Sequence, residues 1–295
     1  MDAALDQLQI RSGDSAAPPA AFHETHPLHW SAPVLFASPH SGRSYPVELL
    51  RRTRLDGCQI RSIEDAYVDR LFAPATDYGA PLIHAAMARA FVDLNRAPEE
   101  LDPALISGVR RYPVSRRTGA GFGVIPRLVA GERRIYHGRI GHTEAMRRIA
   151  DFHIPYHQRL KQLMDEGVHR HGEVVLFDCH SMPRRVLDAS FPPARRPGII
   201  LGDRYGASCG RMILEQAESV FAGLGFKVSR NIPFAGAYVS KFHGHPHRRR
   251  HVLQVEIDRS LYLDEARIRP NADYPAFCDR MRKVVAGLTR ITGSR

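Results

Sequence analysis

Short apolar runs, each stopping at a polar side chain capable of chemistry, constrain this chain more than any other feature. Val34-Leu35-Phe36-Ala37 runs into Ser38-Pro39-His40-Ser41-Gly42. Pro81-Leu82-Ile83-His84-Ala85 is followed by Phe91-Val92-Asp93-Leu94, which ends at Asn95-Arg96. Val174-Val175-Leu176-Phe177 ends at Asp178-Cys179-His180-Ser181, and Gly198-Ile199-Ile200-Leu201 ends at Gly202-Asp203. Val252-Leu253-Gln254-Val255 reaches Glu256. Runs this short and this rich in Val, Ile and Leu suit strands buried on both faces of a mostly parallel sheet. Helical periodicity lies between them, over residues 63–75, 143–164, 207–224 and 274–288, with Thr143 as an N-cap and Pro155 as an interruption. Strands alternating with helices predict an α/β fold, a three-layer α/β/α sandwich on a mostly parallel mixed sheet. One domain is expected over residues 31–295, preceded over residues 1–30 by a loose arm or a strand laid on the domain edge. Residues 102–136 read as a long irregular segment, the kind that usually carries function.

Bulk properties narrow the class. The chain has 295 residues, 43% hydrophobic and 25% charged, enough for a substantial core. No apolar run is long enough to span a bilayer. The first ten residues carry acids and polar side chains where a signal peptide needs a basic start and an apolar stretch, so a cytoplasmic protein is expected. The four cysteines, Cys58, Cys179, Cys209 and Cys278, form no CxxC pair and read as free thiols in a reducing compartment. The net charge of +11 raises nucleic acid as a partner. The basic residues come as scattered doublets, however, and only Arg248-Arg249-Arg250 makes a longer run. No RNP motif, zinc finger or basic-region heptad accompanies them. A small anionic substrate explains a positive cleft equally well, so a non-catalytic basic binder is the alternative reading.

In open α/β sheets ligands bind beyond the carboxyl ends of the strands. His40 and His180 stand there, and with one acid they make a set that suits zinc with a position left for water. The acid is Asp65, with its neighbour Glu64 as the alternative. The chain has 16 histidines, so strand-end placement is what singles these two out. Glu256 lies inside an apolar strand, where an acid is costly to bury unpaired. It is either a salt-bridged strand acid, with Asp258 and Arg259 close by, or the base that takes a proton from a metal-activated water. Asn95-Arg96 suits capture of a carboxylate, and Arg89 suits a carbonyl oxygen that gathers charge. Arg127 and Lys241 are candidates for a second carboxylate.

Eight segments in order carry a resemblance to a known family: SPHSGRSYP (residues 38–46), EDAYVDRLF (64–72), VDLNRAPEE (92–100), GVIPR (123–127), DFHIPYHQRL (151–160), DCHSMP (178–183), ILGDRYGASC (200–209), and FAGAYVSKFHG through QVEIDRSLYLDE (234–265). In these the chain resembles the N-formylglutamate amidohydrolases. The resemblance implies a phosphorylase/hydrolase-like sandwich, shared with zinc carboxypeptidases and aspartoacylases. It implies hydrolysis of an N-formyl amino acid to formate and the free amino acid, glutamate in the named family, at the end of a histidine-degradation route. It also implies that Arg89 and Asn95-Arg96 serve the substrate carbonyl and carboxylate, and that Glu256 is the base. A zinc hydrolase of another N-acyl amino acid or a peptide is the nearest alternative. Two departures stand out. Those relatives place an acid ligand three residues after the first histidine, where this chain has Arg43. Lys241-Phe242-His243 also replaces the expected Arg-His-Tyr. His243, His245 and His247 alternate there, as an exposed loop or as a further metal contact.

Overall fold

The apolar runs become the centre of one seven-stranded sheet in the computed structural model, which describes residues 9–11, 20–109, 115–129, 131 and 133–293. Its strands are β1 (Phe22–Thr25), β2 (Val34–Ser38), β3 (Leu82–Ala85), β4 (Val174–Met182), β5 (Ile199–Gly202), β6 (Val228–Arg230) and β7 (Arg250–Asp258). They lie in the order β6-β5-β7-β4-β2-β3-β1. Strands β7, β4, β2 and β3 run parallel, while β5 and β6 on one side and β1 on the other run against them. The principal helices are α1 (Val68–Phe72), α2 (His142–Arg148), α3 (Ile154–His171), α4 (Arg184–Ser190), α5 (Arg211–Gly223), α6 (Tyr238–His243) and α7 (Tyr274–Leu288).

Both faces of the sheet are covered, which is why the central strands show no apolar–polar alternation. Leu35, Ala37, Val174, Leu176 and Val252 join one apolar cluster, with Ala145 of α2 and Leu160 and Met164 of α3. Val34, Phe36, Val175, Phe177, Leu253 and Val255 join the other, with Leu71 of α1, Phe221 of α5 and Val284 of α7. Phe36 and Phe177 stack across neighbouring strands with ring centroids 5.4 Å apart. Truncating either to Ala would cost roughly 3–5 kcal/mol. The expected three-layer sandwich on a mixed, mostly parallel sheet is the fold observed.

Several local expectations are corrected. Residues 91–94 form no strand but a buried turn, because their hydrogen-bonding groups go to side chains and loops rather than to a neighbouring strand. Phe91, Val92 and Leu94 are buried all the same, and an apolar run alone does not separate the two cases. Residues 63–75 become α-helical only at α1, and a 3-10 turn (Ala73–Tyr78) follows. The residues before α1 are held out of helix by Tyr67, at φ 67°, and by the Asp65 N–H, which donates to the His40 carbonyl. The helix expected over 143–164 begins with Gly141 rather than Thr143 at its cap. It is interrupted before Pro155 by a π-helical turn, Ile149–His153, in which Ile154 N–H reaches the Ile149 carbonyl. Pro155 has no N–H to offer the preceding turn. Of the expected N-terminal arm, residues 1–8 and 12–19 lie outside the described residues, and Phe22–Thr25 is the edge strand. Residues 110–114, 130 and 132 of the irregular segment also lie outside them. All four cysteines are unbridged. Among the described residues no helix is long and apolar enough to cross a membrane.

Candidate active site

One face of the sheet changes character halfway along its strands. On β4, Val174 and Leu176 enter the core, and the next residues of the same parity are Asp178 and His180. On β7, Val252 is followed by Gln254 and Glu256. Parallel pairing sets Glu256 beside His180 and Gln254 beside Asp178. The turn after β2 brings His40 over His180, with ring centroids 4.7 Å apart. Gly42 makes that turn possible, since a Cβ there would sit 2.0 Å from the Met87 carbonyl oxygen. The backbone bond between Asp65 and His40, 3.0 Å long, sets the third residue against them. Asp65 Oδ2 lies 3.2 Å from His40 Nδ1 and 2.8 Å from His180 Nδ1. One ligand atom from each of the three falls within 4.8 Å of the others, and all three residues are buried. Glu64 is directed elsewhere: it accepts from the Tyr45 hydroxyl and pairs with Arg61 Nε at 3.1 Å. Arg43, three residues after His40, pairs with Asp69.

The outer nitrogens of both rings face carboxylates. His40 Nε2 lies 2.7 Å from Asp93 Oδ1, and His180 Nε2 lies 3.1 Å from Asp178 Oδ1. Nδ1 of each ring also faces a carboxylate, Asp65, and a carboxylate only accepts, so a cation seated between the two Nδ1 atoms and Asp65 would leave the ring proton on Nε2. Two imidazole nitrogens and a carboxylate oxygen then converge, a donor set that fits a zinc ion. The electrostatics agree. Burial works against a charge on His180, but Asp178 and Asp65 outweigh it and hold its pKa well above the usual histidine range. Burial would raise Asp65, yet its bonds to His180 and His40 keep it well below the usual carboxylate range. The cluster calls for positive charge at its centre. Arg259 supplies part of it, with Nη2 2.9 Å from Asp65 Oδ1 and Nε 3.1 Å from Ser181 Oγ.

Glu256 has no cation within ion-pair distance among the described residues. Burial, helped by the Asp65 charge, pushes its pKa up to about 7, against the lowering effect of His180, Arg89 and Arg259. Gln254 Nε2 donates to Glu256 Oε1 at 3.0 Å, and the Gln254 oxygen accepts from Ala237 N–H at 3.1 Å, so the amide orientation is fixed. A carboxylate with its pKa near 7 beside a cluster that could hold a metal has the proton affinity of a general base.

These groups open onto a cavity of about 400 Å³. Five arginines line it: Arg89, Arg96, Arg117, Arg185 and Arg259. Arg89 is neutralised by Asp93, Nε to Oδ2 at 2.8 Å, and Arg259 by Asp65. Arg96 is 9% exposed and, among the described residues, bonds only to the carbonyls of Phe122 (2.9 Å) and Asn95 (2.8 Å). Burial first, then the charges of Arg89 and Arg117, outweigh Asp93 and pull its pKa below the usual guanidinium range. A buried guanidinium without a paired carboxylate marks a place for an anion. Asn95 is fixed beside it: its Oδ1 accepts from Val239 N–H at 2.7 Å, and its Nδ2 donates to Asp178 Oδ2 at 3.4 Å.

The structure thus gathers His40, Asp65, His180, Glu256, Arg89, Asn95 and Arg96 around one cavity. It does not bring Arg127 or Lys241 there. Arg127 is held by Asp102, Nε to Oδ2 at 2.7 Å, and Lys241 is exposed on α6, whose Val239, Ser240 and His243 are the buried residues. The alternating histidines are split as well, with His243 buried against His157 and His245 bonded to the Phe242 carbonyl. Asp93, Asp178, Gln254, Arg117, Arg185 and the role of Arg259 escaped the sequence reading. Asp178 and Gln254 stand two residues before His180 and Glu256, a same-face spacing that could have found them.

The family model for N-formylglutamate amidohydrolase matches residues 32–263. The N-formylglutamate deformylase of Pseudomonas putida is 29% identical over 240 residues, covering 79% of this chain and 82% of that protein. Its namesake from Pseudomonas aeruginosa is 27% identical over 237 residues, covering 79% and 83%. A crystal structure of N-formylglutamate amidohydrolase from Ralstonia eutropha JMP134 superposes with a TM-score of 0.84 at 28% identity, covering 92% of this chain and 97% of that one.

Proposed function

The chain belongs to the N-formylglutamate amidohydrolase family, and on that premise we propose that it hydrolyses the amide bond of an N-formyl amino acid, N-formyl-L-glutamate, to formate and L-glutamate. The observation that carries this reading is Glu256 in register beside His180, with His40 and Asp65 completing a donor set in a cavity lined by arginines. His40, Asp65 and His180 would hold a zinc ion. When bound there, zinc supplies a Lewis acid for the acyl oxygen and lowers the pKa of water.

The rest is done by the chain's own groups. Asp93 and Asp178 orient the two imidazoles. Glu256 accepts a proton from the water that attacks the formyl carbon, then delivers it to the nitrogen as the C–N bond breaks. Arg89, braced by Asp93, meets the charge that develops on the acyl oxygen. Asn95 and Arg96 take the α-carboxylate. Arg117 and Arg185 line the same cavity, have no ion pair among the described residues, and replace Arg127 and Lys241 as candidates for the side-chain carboxylate. Release of formate from N-formyl-L-glutamate by zinc-loaded protein tests the reading directly. Cleavage of acetyl or peptide substrates with no action on formyl amino acids would move it to another N-acyl substrate.

A further inference from the structure

The segment that carries Asn95 and Arg96 has no strand to lean on, so its backbone groups must find other partners. Its carbonyls are taken one by one by side chains: Ala90 by the Tyr136 hydroxyl at 2.9 Å, Phe91 by Arg148 at 3.2 Å, and Asn95 by Arg96 itself at 2.8 Å. The two that bracket the substrate-facing pair are taken by histidines. His157 Nε2 lies 2.8 Å from the Leu94 carbonyl, and His153 Nε2 lies 2.8 Å from the Arg96 carbonyl. The π-helical turn and α3 place these histidines one turn apart, with ring centroids 4.4 Å apart.

The partners fix the protons. A carbonyl only accepts, so His157 and His153 both carry a proton on Nε2. His157 Nδ1 is then bare, and it lies 3.0 Å from His243 Nε2, whose ring is nearly parallel to it with 14° between planes. That contact is a hydrogen bond only if His243 donates. Both rings are buried, and burial lowers the pKa of each, which keeps them neutral at physiological pH. Asp165, Lys161, His245 and Arg250 are the charged or titratable neighbours that act on His243.

From this geometry we infer that His153 and His157, with His243 behind them, are positioning residues that clamp the Asn95–Arg96 backbone so that the Arg96 guanidinium meets a substrate carboxylate. The inference rests on the role given above to Arg96. It also gives the alternating His243 a function that is not metal binding.

The test has two arms. Two-bond proton–nitrogen correlation spectra of 15N-histidine-labelled protein read the tautomers without substrate. Nε2–H forms of His153, His157 and His243 are expected, and an Nδ1–H form of His157 would overturn the clamp. In the second arm, His157→Phe removes the donor while keeping an aromatic ring, and His157→Gln retains a donor. His157→Phe should raise KM for N-formyl-L-glutamate roughly tenfold or more, the scale of leaving a buried carbonyl unpaired. Its kcat/KM for N-formyl-L-glutamine α-amide, which lacks both carboxylates, should stay near wild type, and His157→Gln should recover much of the KM loss. Equal losses on both substrates would make His157 a residue of general packing and overturn the proposal. Wild-type protein that cleaves neither substrate would refute the substrate reading, while the tautomers would still decide the clamp.

Discussion

Asp93→Asn is the sharpest probe of how the site is held. Asp93 is buried and accepts from three site residues: His40 Nε2 at 2.7 Å, Arg89 Nε at 2.8 Å and the Asn95 backbone N–H at 2.8 Å. Burial raises its pKa, but Arg89 and His40 outweigh that and hold the carboxyl well below its usual range. Asparagine keeps the volume. It loses the charge, however, and turns an amide N–H₂ toward one of three donors. Breaking a buried ion pair from one side costs about 3–5 kcal/mol. Arg89 keeps its bond to the Ile63 carbonyl, at 3.3 Å, so the lower end, about 3 kcal/mol, is expected. The same change loosens His40, and loss of such an orienting partner lowers metal affinity about 10–100-fold. Denaturant unfolding of the metal-free protein measures the first effect, and zinc titration against a competing chelator measures the second. Asp102→Asn is the control, because its partner Arg127 lies outside the cavity. It should cost stability and leave zinc affinity alone. If Asp93→Asn loses stability but binds zinc as wild type does, Asp93 does not orient a metal ligand and the reasoning fails.

Other outcomes follow from the same geometry. Glu256→Gln should keep its metal and lose about 10²–10⁴ in kcat, measured by formate release. Glu256 has its pKa raised to about 7 in the structure, so its basic form declines as pH falls through that value. The acid limb of kcat/KM should therefore lie at or below pH 7, since a bound cation lowers it, and Glu256→Gln should abolish that limb in the residual rate. Arg185→Met should raise KM for N-formyl-L-glutamate by at least about tenfold, the scale of one charge-assisted bond. Kinetics on N-formyl-L-norvaline, which lacks the side-chain carboxylate, should be unchanged.

The central strands were readable from composition and length alone, because burial on both faces leaves apolar runs such as residues 34–37, 174–177 and 252–253 up to where the site begins. The same rule misread residues 91–94, since a turn whose carbonyls are capped by Arg148 and His157 looks as apolar as a strand. His40, His180 and Glu256 stood out because each interrupts or follows such a run. Asp65 stands in no such run. Its position depends on one backbone hydrogen bond to His40 and on the left-handed Tyr67, which local pattern does not reveal. Choosing among arginines was beyond sequence reasoning for a physical reason. Which of 42 cations lacks a counter-charge depends on contacts such as Arg127–Asp102, made 25 residues apart.

Metal content bears most directly on the central claim that His40, Asp65 and His180 form a zinc centre. The measurement is elemental analysis of purified wild-type protein beside His180→Ala, each dialysed after zinc is supplied, with folding checked by circular dichroism. The account predicts about one zinc per chain in the wild type and a folded variant without it. A folded wild type that retains no metal, or a His180→Ala protein that retains as much as wild type, would contradict it.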